Sequence, residues 1–294
     1  MNILIEFFRC DGKTDCKDSS DELNCRVVEV DSSYNKFLSP PVIDTSNSEE
    51  LKILSSVTIH SLSSFDPVGA DYQVQFTVIL KWFDTRLSFN NLRSPPEVNS
   101  LQPVEMEQIW FPYFIFENTN KKEFSLLDNR SSLKIIKMGP GKINGNQDTE
   151  NKYIFNGNEN YIEYKRFYSE IFQCEYSLHW YPFDTQTCYL DIKSSPDLRD
   201  LIQFVTDQFV YEGPLDLTEY SIKKINMTAE NKILLRIEII IQRRLLSLIL
   251  TAFLPTLILN IIGHMSNYFK EFFFEGLMSL NVTVMLVLTT MFLR

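Results

Sequence analysis

The chain has 294 residues, of which 44% are hydrophobic and 22% charged, and its net charge is −10. This length is enough for one large domain or two. The acidic balance argues against a nucleic-acid partner, because phosphate binding requires clustered Lys and Arg side chains. From Leu245 onward the chain is mostly apolar, apart from a polar stretch at 266–275. The sequence therefore predicts a large water-facing domain followed by membrane segments.

The five cysteines fall into two tight groups, at 10–25 and 174–188. Such grouping predicts disulfides and an oxidising compartment. Asn-x-Ser/Thr triplets at Asn129 and Asn226 agree with an extracellular location. The short apolar run at 2–8 contains a glutamate and lacks the pattern of a secretory signal. Because a disulfide-bonded extracellular domain needs export, we expect the true start of the protein to lie upstream.

The first acidic segment, residues 10–25, holds five carboxylates between three cysteines. Calcium takes six to eight oxygen ligands, and clustered Asp and Glu side chains supply them. So short a segment has too little core to fold alone, and it needs disulfide or metal staples. Its pattern, C-D-G-x-x-D-C-x-D-x-S-D-E-x-x-C, resembles the second half of an LDL-receptor class A repeat.

The resemblance implies a module at residues 1–27 with a disulfide between Cys10 and Cys25. It leaves Cys16 without a partner, which again indicates a chain truncated at its beginning. Calcium is the cofactor that it implies, provided that the repeat is complete. The implied side-chain ligands are Asp11, Asp15, Asp21 and Glu22.

Residues 28–242 carry the signals of β-strands. Between Tyr72 and Trp82 every second residue is aromatic or aliphatic, which is typical of a half-buried strand. Ile233–Ile241 is a second strand candidate, and turn signals such as Asp66-Pro67 and Gly139-Pro140 recur between such runs. Many short strands with regular turns predict a β-sandwich.

The sharpest feature is the pair Cys174 and Cys188, which thirteen residues separate. A disulfide that closes a loop of this size stabilises a fold by about 3 kcal/mol in the chain-entropy estimate. Between the cysteines lies Trp180-Tyr181-Pro182-Phe183-Asp184. Such a loop is stiff and apolar, and it presents one carboxylate.

This spacing and the Tyr-Pro-Phe-Asp core resemble the signature of Cys-loop receptors. Trp82–Leu87 is similar to the W-x-D-x-R-L motif of that family, and Ile109–Pro112 to its I-W-x-P motif. The resemblance covers residues 28–294. It implies a pentameric ligand-gated ion channel in the plasma membrane, built from four like or related subunits besides this one. An extracellular sandwich would bind a small molecule, proton or metal, and transmembrane helices would form the pore.

The apolar C-terminal region, residues 243–294, predicts the first two transmembrane helices, at about 245–265 and 277–293. Leu245–Gly263 contains nineteen residues without a charge, which is long enough to span a bilayer. Pro255 lies within it, and membrane bundles tolerate a proline there. Family members have four spans, so the resemblance implies that the C-terminal part is incomplete.

A polar series in the second span predicts a pore lining. The spacings of four, three and four residues place its members on one helical face. Alternatively, the hydroxyl groups bond back to their own helix. The candidate lining residues are Ser279, Thr283, Leu286 and Thr290, with Glu275 at the inner mouth.

Ion selectivity is left with two conflicting cues. A carboxylate ring formed by Glu275 favours cations, and the Pro-Ala-Arg triplet of anion channels is absent. However, Ser279–Phe292 resembles the second span of invertebrate pH- and zinc-sensitive chloride channels. Because this resemblance spans more residues than one side chain, we expect an anion channel, with a cation channel as the alternative.

The remaining site residues follow from the resemblance to the family. Carried over by position, the agonist site contains Thr77, Glu117 and Ser195, with Phe116 and Tyr220 nearby. None of the three is aromatic, so a site that holds an amine by cation–π contact is depleted. Arg243 is expected to pair with Asp184 and, with Pro182 and Phe183, to couple the sandwich to the pore.

The sequence gives weaker support to two other classes of protein. A calcium-dependent surface receptor with a vestigial channel part would use the acidic N-terminal repeat. An enzyme is not expected, because the chain has no phosphate-binding glycine loop, no H-E-x-x-H and no G-x-S-x-G motif.

Overall fold

A computed structural model gives the fold of most of the chain. The residues that it describes are 14, 17–18, 26–42, 50–119, 125, 127–128, 130–144, 152–266, 268 and 274–292. The chain divides into two compact units. The first comprises residues up to Glu175 together with Cys188–Gly213 and Ile225–Glu238, and the second comprises Tyr176–Thr187, Pro214–Lys224 and Ile239–Arg294.

The described residues are mainly β-strand, with helices at the C-terminal end. The strands are β1 (Val28–Glu29), β2 (Leu51–Asp66), β3 (Asp71–Trp82), β4 (Ser88–Asn90), β5 (Phe114–Phe116), β6 (Ser131–Ile136), β7 (Lys142–Asn144), β8 (Lys152–Asn156), β9 (Tyr161–Gln173), β10 (Thr185–Ser194), β11 (Ile202–Tyr211), β12 (Tyr220–Glu230) and β13 (Leu234–Arg243). The helices are α1 (Pro103–Met106), α2 (Leu245–Leu248), α3 (Leu254–Ser266) and α4 (Phe274–Phe292). Short 3₁₀ turns occupy Pro96–Asn99 and Pro196–Leu198.

The strands form three sheets, in the orders β11-β2-β3-β9-β6, β12-β13-β10-β5 and β1-β4-β8-β7. All described neighbouring pairs that involve β3 or β9 are antiparallel, and β11 pairs with β2 in parallel. A mainly β sandwich, as the sequence predicts, is confirmed.

The centre of the core is β3. Its alternating residues from Tyr72 to Trp82 are fully buried, which confirms the predicted strand and its inward face. Phe76 contacts the rings of Phe116, Tyr168 and Phe172 at centroid distances of 5.5, 5.5 and 5.9 Å. Aromatic pairs in these edge-to-face and offset arrangements add to the stabilisation by burial.

The entry of the chain into the sandwich is fixed by Glu105 in α1. Its Oε1 accepts hydrogen bonds from the backbone N–H groups of Val27 and Val28, at 2.8 and 3.1 Å. Its Oε2 accepts one from the N–H of Gln102 at 2.8 Å, which closes a capping box. Hydrogen bonds to a carboxylate are stronger than those between neutral groups, so this buried side chain holds residues 27 and 28 firmly.

The hairpin between β12 and β13 turns at Asn231 and Lys232, whose φ angles of 49° and 65° are left-handed. The turn is held on both sides. Phe204 N–H donates to Lys232 O at 2.7 Å, and Ser194 N–H donates to Ile233 O at 2.9 Å. The Lys232 ammonium also pairs with Glu50 at 3.0 Å. This hairpin tip is therefore a bonded part of the first unit.

The second unit ends in helices. A π-helical segment, Ile249–Phe253, separates α2 from α3, and α3 packs against α4. Pro255 lies at the start of α3, directly after this π-helical segment. A proline inside an α-helix lacks the N–H donor, and its ring clashes with the preceding turn, so the wider π-helical segment before it accommodates this residue. Among the helices of the described residues, none is both long and apolar enough to cross a membrane. The two predicted membrane spans are not confirmed.

Candidate functional site: the Cys loop, the ligand-site positions and the pore helix

The loop between Cys174 and Cys188 is closed by a disulfide between these two residues, as the sequence predicts. Both cysteines are buried, and the N–H of Cys174 donates to Ala70 O at 2.9 Å. Residues 174–188 are called the Cys loop below. The disulfide reduces the number of conformations open to this loop in the unfolded chain, and it fixes both ends of the loop in the folded protein.

Within the second unit, Asp184 of the Cys loop forms an ion pair with Arg243, the last residue of β13. Arg243 Nε donates to Asp184 Oδ1 at 2.8 Å, and Nη2 donates to Oδ2 at 3.1 Å. The backbone N–H of Arg243 also donates to the Asp184 carbonyl at 3.3 Å. The two side chains are only 1% and 7% exposed. A bidentate pair with this little exposure has fixed geometry and little screening by salt.

Further polar groups complete the surroundings of the ion pair. Gln186 Nε2 donates to Asp184 Oδ2 at 2.6 Å, and the same amide exchanges two bonds with the backbone of Ser177. Arg243 Nη2 donates to the Tyr220 hydroxyl at 2.5 Å. The guanidinium carbon also lies 4.6 and 5.0 Å from the ring centroids of Tyr220 and Tyr181. The pair is therefore bonded to three segments of the second unit.

The ionisation of Asp184 follows from these contacts. Burial opposes the charged carboxylate, but the hydrogen bonds from Arg243 and Gln186 outweigh it, and the pKa of Asp184 lies below its usual range. Burial likewise opposes the charge on Arg243, and the bonds to Asp184 and Tyr220 raise its pKa. Asp184 and Arg243 are both charged at neutral pH.

The tip of the Cys loop is apolar and exposed. Trp180 is 74% exposed, Phe183 69% and Tyr181 49%. Pro182, between the last two, is half-buried. The sequence thus places a buried charge at Asp184 next to exposed rings.

Of the five ligand-site candidates, Thr77, Phe116, Ser195 and Tyr220 are buried. Phe116 is 7% exposed and packs edge-on against Tyr168 and Phe76, at 5.1 and 5.5 Å. Thr77 is 5% exposed, and its Oγ1 bonds to the ring of His60 at 2.8 Å. Phe116 therefore belongs to the aromatic core, and Thr77 lies beneath the imidazole of His60.

The other candidates are distributed over the two units. Glu117 forms an ion pair with Lys193 at 3.2 Å, and both side chains are about one third exposed. Ser195 is buried, and its N–H donates to Tyr113 O at 3.0 Å. Tyr220 belongs to the second unit, where its hydroxyl accepts a hydrogen bond from Arg243. Glu117 is thus the one candidate of the five with a charged group, and that group is about one third exposed.

The family model described as the neurotransmitter-gated ion-channel ligand binding domain matches residues 26–240. The chain belongs to the Cys-loop family of neurotransmitter-gated ion channels. This is a family of channels and not of enzymes. A second model, the low-density lipoprotein receptor domain class A, matches residues 5–25, which lie almost wholly outside the described residues.

Curated relatives agree with the family match. The glutamate-gated chloride channel subunit beta of Haemonchus contortus is 21% identical over 279 residues, which are 90% of this chain and 60% of the relative. The γ-aminobutyric acid receptor subunit gamma-1 of Homo sapiens is 21% identical over 254 residues, 81% of this chain and 49% of the relative. The glutamate-gated chloride channel of Drosophila melanogaster is 23% identical over 244 residues, 79% of this chain and 48% of the relative. The chain spans about half to three fifths of the length of these channels.

The candidate pore residues of this Cys-loop chain lie on α4. Ser279, Thr283, Leu286 and Thr290 are all exposed, and Glu275 is exposed in the first helical turn. The hydroxyls of Thr283 and Thr290 donate to Ser279 O and Val287 O, at 2.7 and 2.8 Å. These bonds are the backbone contacts that the sequence left open as the alternative to pore lining. Each hydroxyl oxygen still has acceptor capacity, so the bonds are compatible with either role.

The calcium ligands and the second disulfide that the LDL-receptor resemblance implies are Asp11, Asp15, Asp21, Glu22, Cys10 and Cys25, and all lie outside the described residues. Within the part of the chain that is described, no group of three or more His, Cys, Asp or Glu side chains is placed to hold a metal ion.

Two clusters in the ligand-binding domain were not foreseen from the sequence. His60 bonds to both Glu212 and Thr77. Arg236 makes a bidentate pair with Asp191 at 2.8 and 2.9 Å and lies over the ring of Tyr189. The partners lie 152, 17 and 45 positions apart in the chain. No local sequence signal joins residues at such separations; only the strand pairing does.

Proposed function

We propose that this chain is part of a subunit of a pentameric, ligand-gated chloride channel of the plasma membrane. A small molecule binds the extracellular ligand-binding domain, and the Cys loop passes the change to the helices that follow β13. The observation that carries the proposal is the buried, bidentate pair between Asp184 and Arg243. It joins the disulfide-closed loop to the residue that lies two positions before α2.

The extracellular placement rests on the Cys174–Cys188 disulfide, because such bonds persist in oxidising compartments. Membrane insertion of α3 and α4 rests on the apolar composition of residues 245–263 and 277–293. Opening is a shift between closed and open states, and a ligand changes it only by binding the open state more tightly. This difference in ligand affinity between the two states reaches the helices through the hydrogen bonds around Asp184.

Chloride selectivity is supported by the names of two relatives, which are glutamate-gated chloride channels. Glu275 supports a cation channel as the alternative, because it is an exposed carboxylate at the start of the proposed pore helix. The match of residues 5–25 to the LDL receptor class A domain supports a capture receptor as a third candidate.

Voltage clamp of oocytes tests the proposal. The subunit is expressed from the longest transcript that contains this chain, and amino acids, amines, protons and zinc are applied in turn. We expect a ligand-evoked current that reverses at the chloride potential and follows it when external chloride is replaced. Reversal that follows sodium, and that is lost in Glu275→Gln, would establish the cation channel instead. Surface protein that passes no current with any ligand would favour the capture receptor.

A further inference from the structure

The chain contains three Asn-x-Ser/Thr triplets, the acceptors of N-linked glycans, which begin at Asn129, Asn226 and Asn281. Asn129 lies outside the described residues. The other two triplets lie in strand β12 and in helix α4. The structure therefore shows two triplets with the same acceptor chemistry in different surroundings.

Asn226 belongs to the polar face of β12. Alternate residues of a strand point to the same side, so Asn226 shares its side with Thr228 and Glu230. Thr228 is exposed, and Asn226 itself is half-buried. Glu230 forms an ion pair with Arg236 of β13 at 3.1 Å, and its side chain is 42% exposed. These residues all belong to the first unit, and the amide of Asn226 lies on the face of the strand that water reaches.

β12 is also the outermost strand of its sheet, in the order β12-β13-β10-β5. Residues 215–217 cover its first part through two backbone hydrogen bonds of 2.8 Å, which join them to Tyr220 and Ile222. The second part, residues 225–230, continues along the outer edge of the sheet. An exposed strand edge is a template for pairing with another chain, and proteins commonly cover such an edge. Asn226 lies where a cover of this kind would act.

The triplet in α4 has different surroundings. Its neighbours Leu280 and Val282 are apolar and 39% and 61% exposed. The hydroxyl of Thr283, the third residue of the triplet, donates to Ser279 O at 2.7 Å within the helix. A glycan is bulky and hydrophilic, and it belongs on a surface that faces water. The proposed function places this helix in the membrane, where Asn281 could not carry one.

We propose that Asn226 carries an N-linked oligosaccharide that covers the outer edge of β12, and that Asn281 carries none. The inference rests on the extracellular placement in the proposed function. The donor is an oligosaccharide on a polyprenyl diphosphate. A bond forms between Asn226 Nδ2 and C1 of the first sugar, the bond from C1 to the diphosphate oxygen breaks, and the Nδ2 proton leaves to a base. The attached sugars then keep another strand from adding to this edge.

Peptide mass spectrometry tests the modification. The full-length subunit is expressed in insect cells from the longest transcript that contains this chain. Its membrane fraction is treated with peptide-N-glycosidase in heavy-oxygen water, which converts each glycosylated Asn to a labelled Asp. We expect label at Asn226 and none at Asn281. Because the transfer takes place in the endoplasmic reticulum, protein that is retained inside the cell reports the modification as well.

Two substitutions at Thr228 separate the glycan from the structure of the strand. Thr228→Ala removes the acceptor triplet and Thr228→Ser keeps it. We expect Thr228→Ala and Asn226→Gln to lose one glycan, seen as a shift in electrophoretic mobility, and Thr228→Ser to retain it. Asn158→Gln, at an exposed position outside any triplet, is the matched control.

Size-exclusion chromatography of the solubilised protein measures the cover of the edge. The variants without the glycan should form more high-mass species than Thr228→Ser and Asn158→Gln, and circular dichroism reports whether each variant is folded. Wild type that is treated with the glycosidase after folding gives the same comparison without a substitution. It decides the matter if a variant does not fold.

An unlabelled Asn226 or a labelled Asn281 in wild type would overturn the inference. Equal self-association of Asn226→Gln and Asn158→Gln would overturn the role of the glycan as a cover. The mass spectrum is independent of current. A labelled Asn226 in a protein that passes no current would keep the inference and lose the proposed channel function. A ligand-gated current from a protein with an unlabelled Asn226 would do the reverse.

Discussion

Arg243 donates to both carboxylate oxygens of Asp184, although the two residues lie 59 positions apart in the chain. Together they are among the least exposed charged groups described, at 7% and 1%. Removing one partner of such a pair leaves a buried charge without compensation, which commonly costs about 3–5 kcal/mol. The pair is therefore a structural bond between the Cys loop and the last residue of β13, two positions before α2.

Asp184→Asn is expected to lower the free energy of unfolding by about 3 kcal/mol at pH 7, because Arg243 loses its counter-charge. Urea unfolding followed by tryptophan fluorescence measures this. Asp200→Asn, at an exposed position, is the matched control and should change stability by less than about 0.5 kcal/mol. An equal effect of both variants would contradict the buried pair.

The contribution of Asp184 should also disappear in acid. The folded-state pKa of Asp184 is lowered: burial raises it, and the bonds from Arg243 and Gln186 lower it further than burial raises it. A depressed carboxyl pKa stabilises the fold above the unfolded value of about 3.9, and this stabilisation is lost as the pH falls through the folded value. The difference in stability between wild type and Asp184→Asn should therefore be constant from pH 7 to pH 5 and shrink below pH 4. A difference that grows in acid would show the opposite sign of the shift.

Tyr220→Phe removes the hydroxyl that accepts from Arg243 and keeps the ring beneath the guanidinium. We expect a loss of about 1–2 kcal/mol, since the bond involves a charged donor. In the channel the ligand concentration for half-maximal current should shift severalfold. Tyr113→Phe, in a half-exposed ring of the first unit, is the control. If the two variants behave alike, the hydroxyl of Tyr220 has no part in coupling.

Replacing both Cys174 and Cys188 by alanine should destabilise the chain by about 3 kcal/mol, because the sequence separation of 14 sets the entropy of the open loop. Differential scanning calorimetry of the variant and of reduced wild type should give the same lowered Tm. A reduced wild type that melts at the oxidised temperature would mean that the bond adds no stability.

The variant Phe116→Ala tests whether Phe116 contacts the ligand or fills the hydrophobic core. Phe116 is packed among Phe76, Tyr168 and Phe172, so truncation should cost about 3–5 kcal/mol and reduce folded protein at the cell surface. Phe116→Leu, which fills more of the space, should recover most of it. If Phe116→Ala folds normally and loses only the response to ligand, the residue contacts the ligand after all.

The sequence predicts those features that are local or that a motif carries. The alternation of β3 is visible in residues 72–82, because a half-buried strand imposes it. The Cys174–Cys188 bond follows from the spacing of the two cysteines. The pairing of Arg243 with Asp184 could be expected from the family pattern, and the geometry of the pair agrees with that expectation.

Contacts between distant strands could not be predicted. The contact of His60 with Thr77 depends on a one-residue bulge in β2, between Ile59 and Ser61, and no local sequence pattern marks a bulge. Likewise, the sequence alone does not show that Glu105 accepts from Val27 and Val28. The uncharged run at 245–263 predicted one continuous span, whereas the chain forms α2, a π-helical segment and α3 there. Hydropathy depends on composition alone, so it does not show the π-helical segment that precedes Pro255.

We propose that ligand binding reaches the pore through the Asp184–Arg243 pair. A double-mutant cycle in voltage-clamped oocytes tests it most directly, with Asp184→Asn, Arg243→Gln and the double variant, each corrected for surface expression. We expect each single variant to raise the half-maximal ligand concentration or abolish the current, and the double variant to be no worse than either, with an interaction energy above about 1 kcal/mol. Singles with wild-type responses, or effects that simply add, would contradict coupling through this pair.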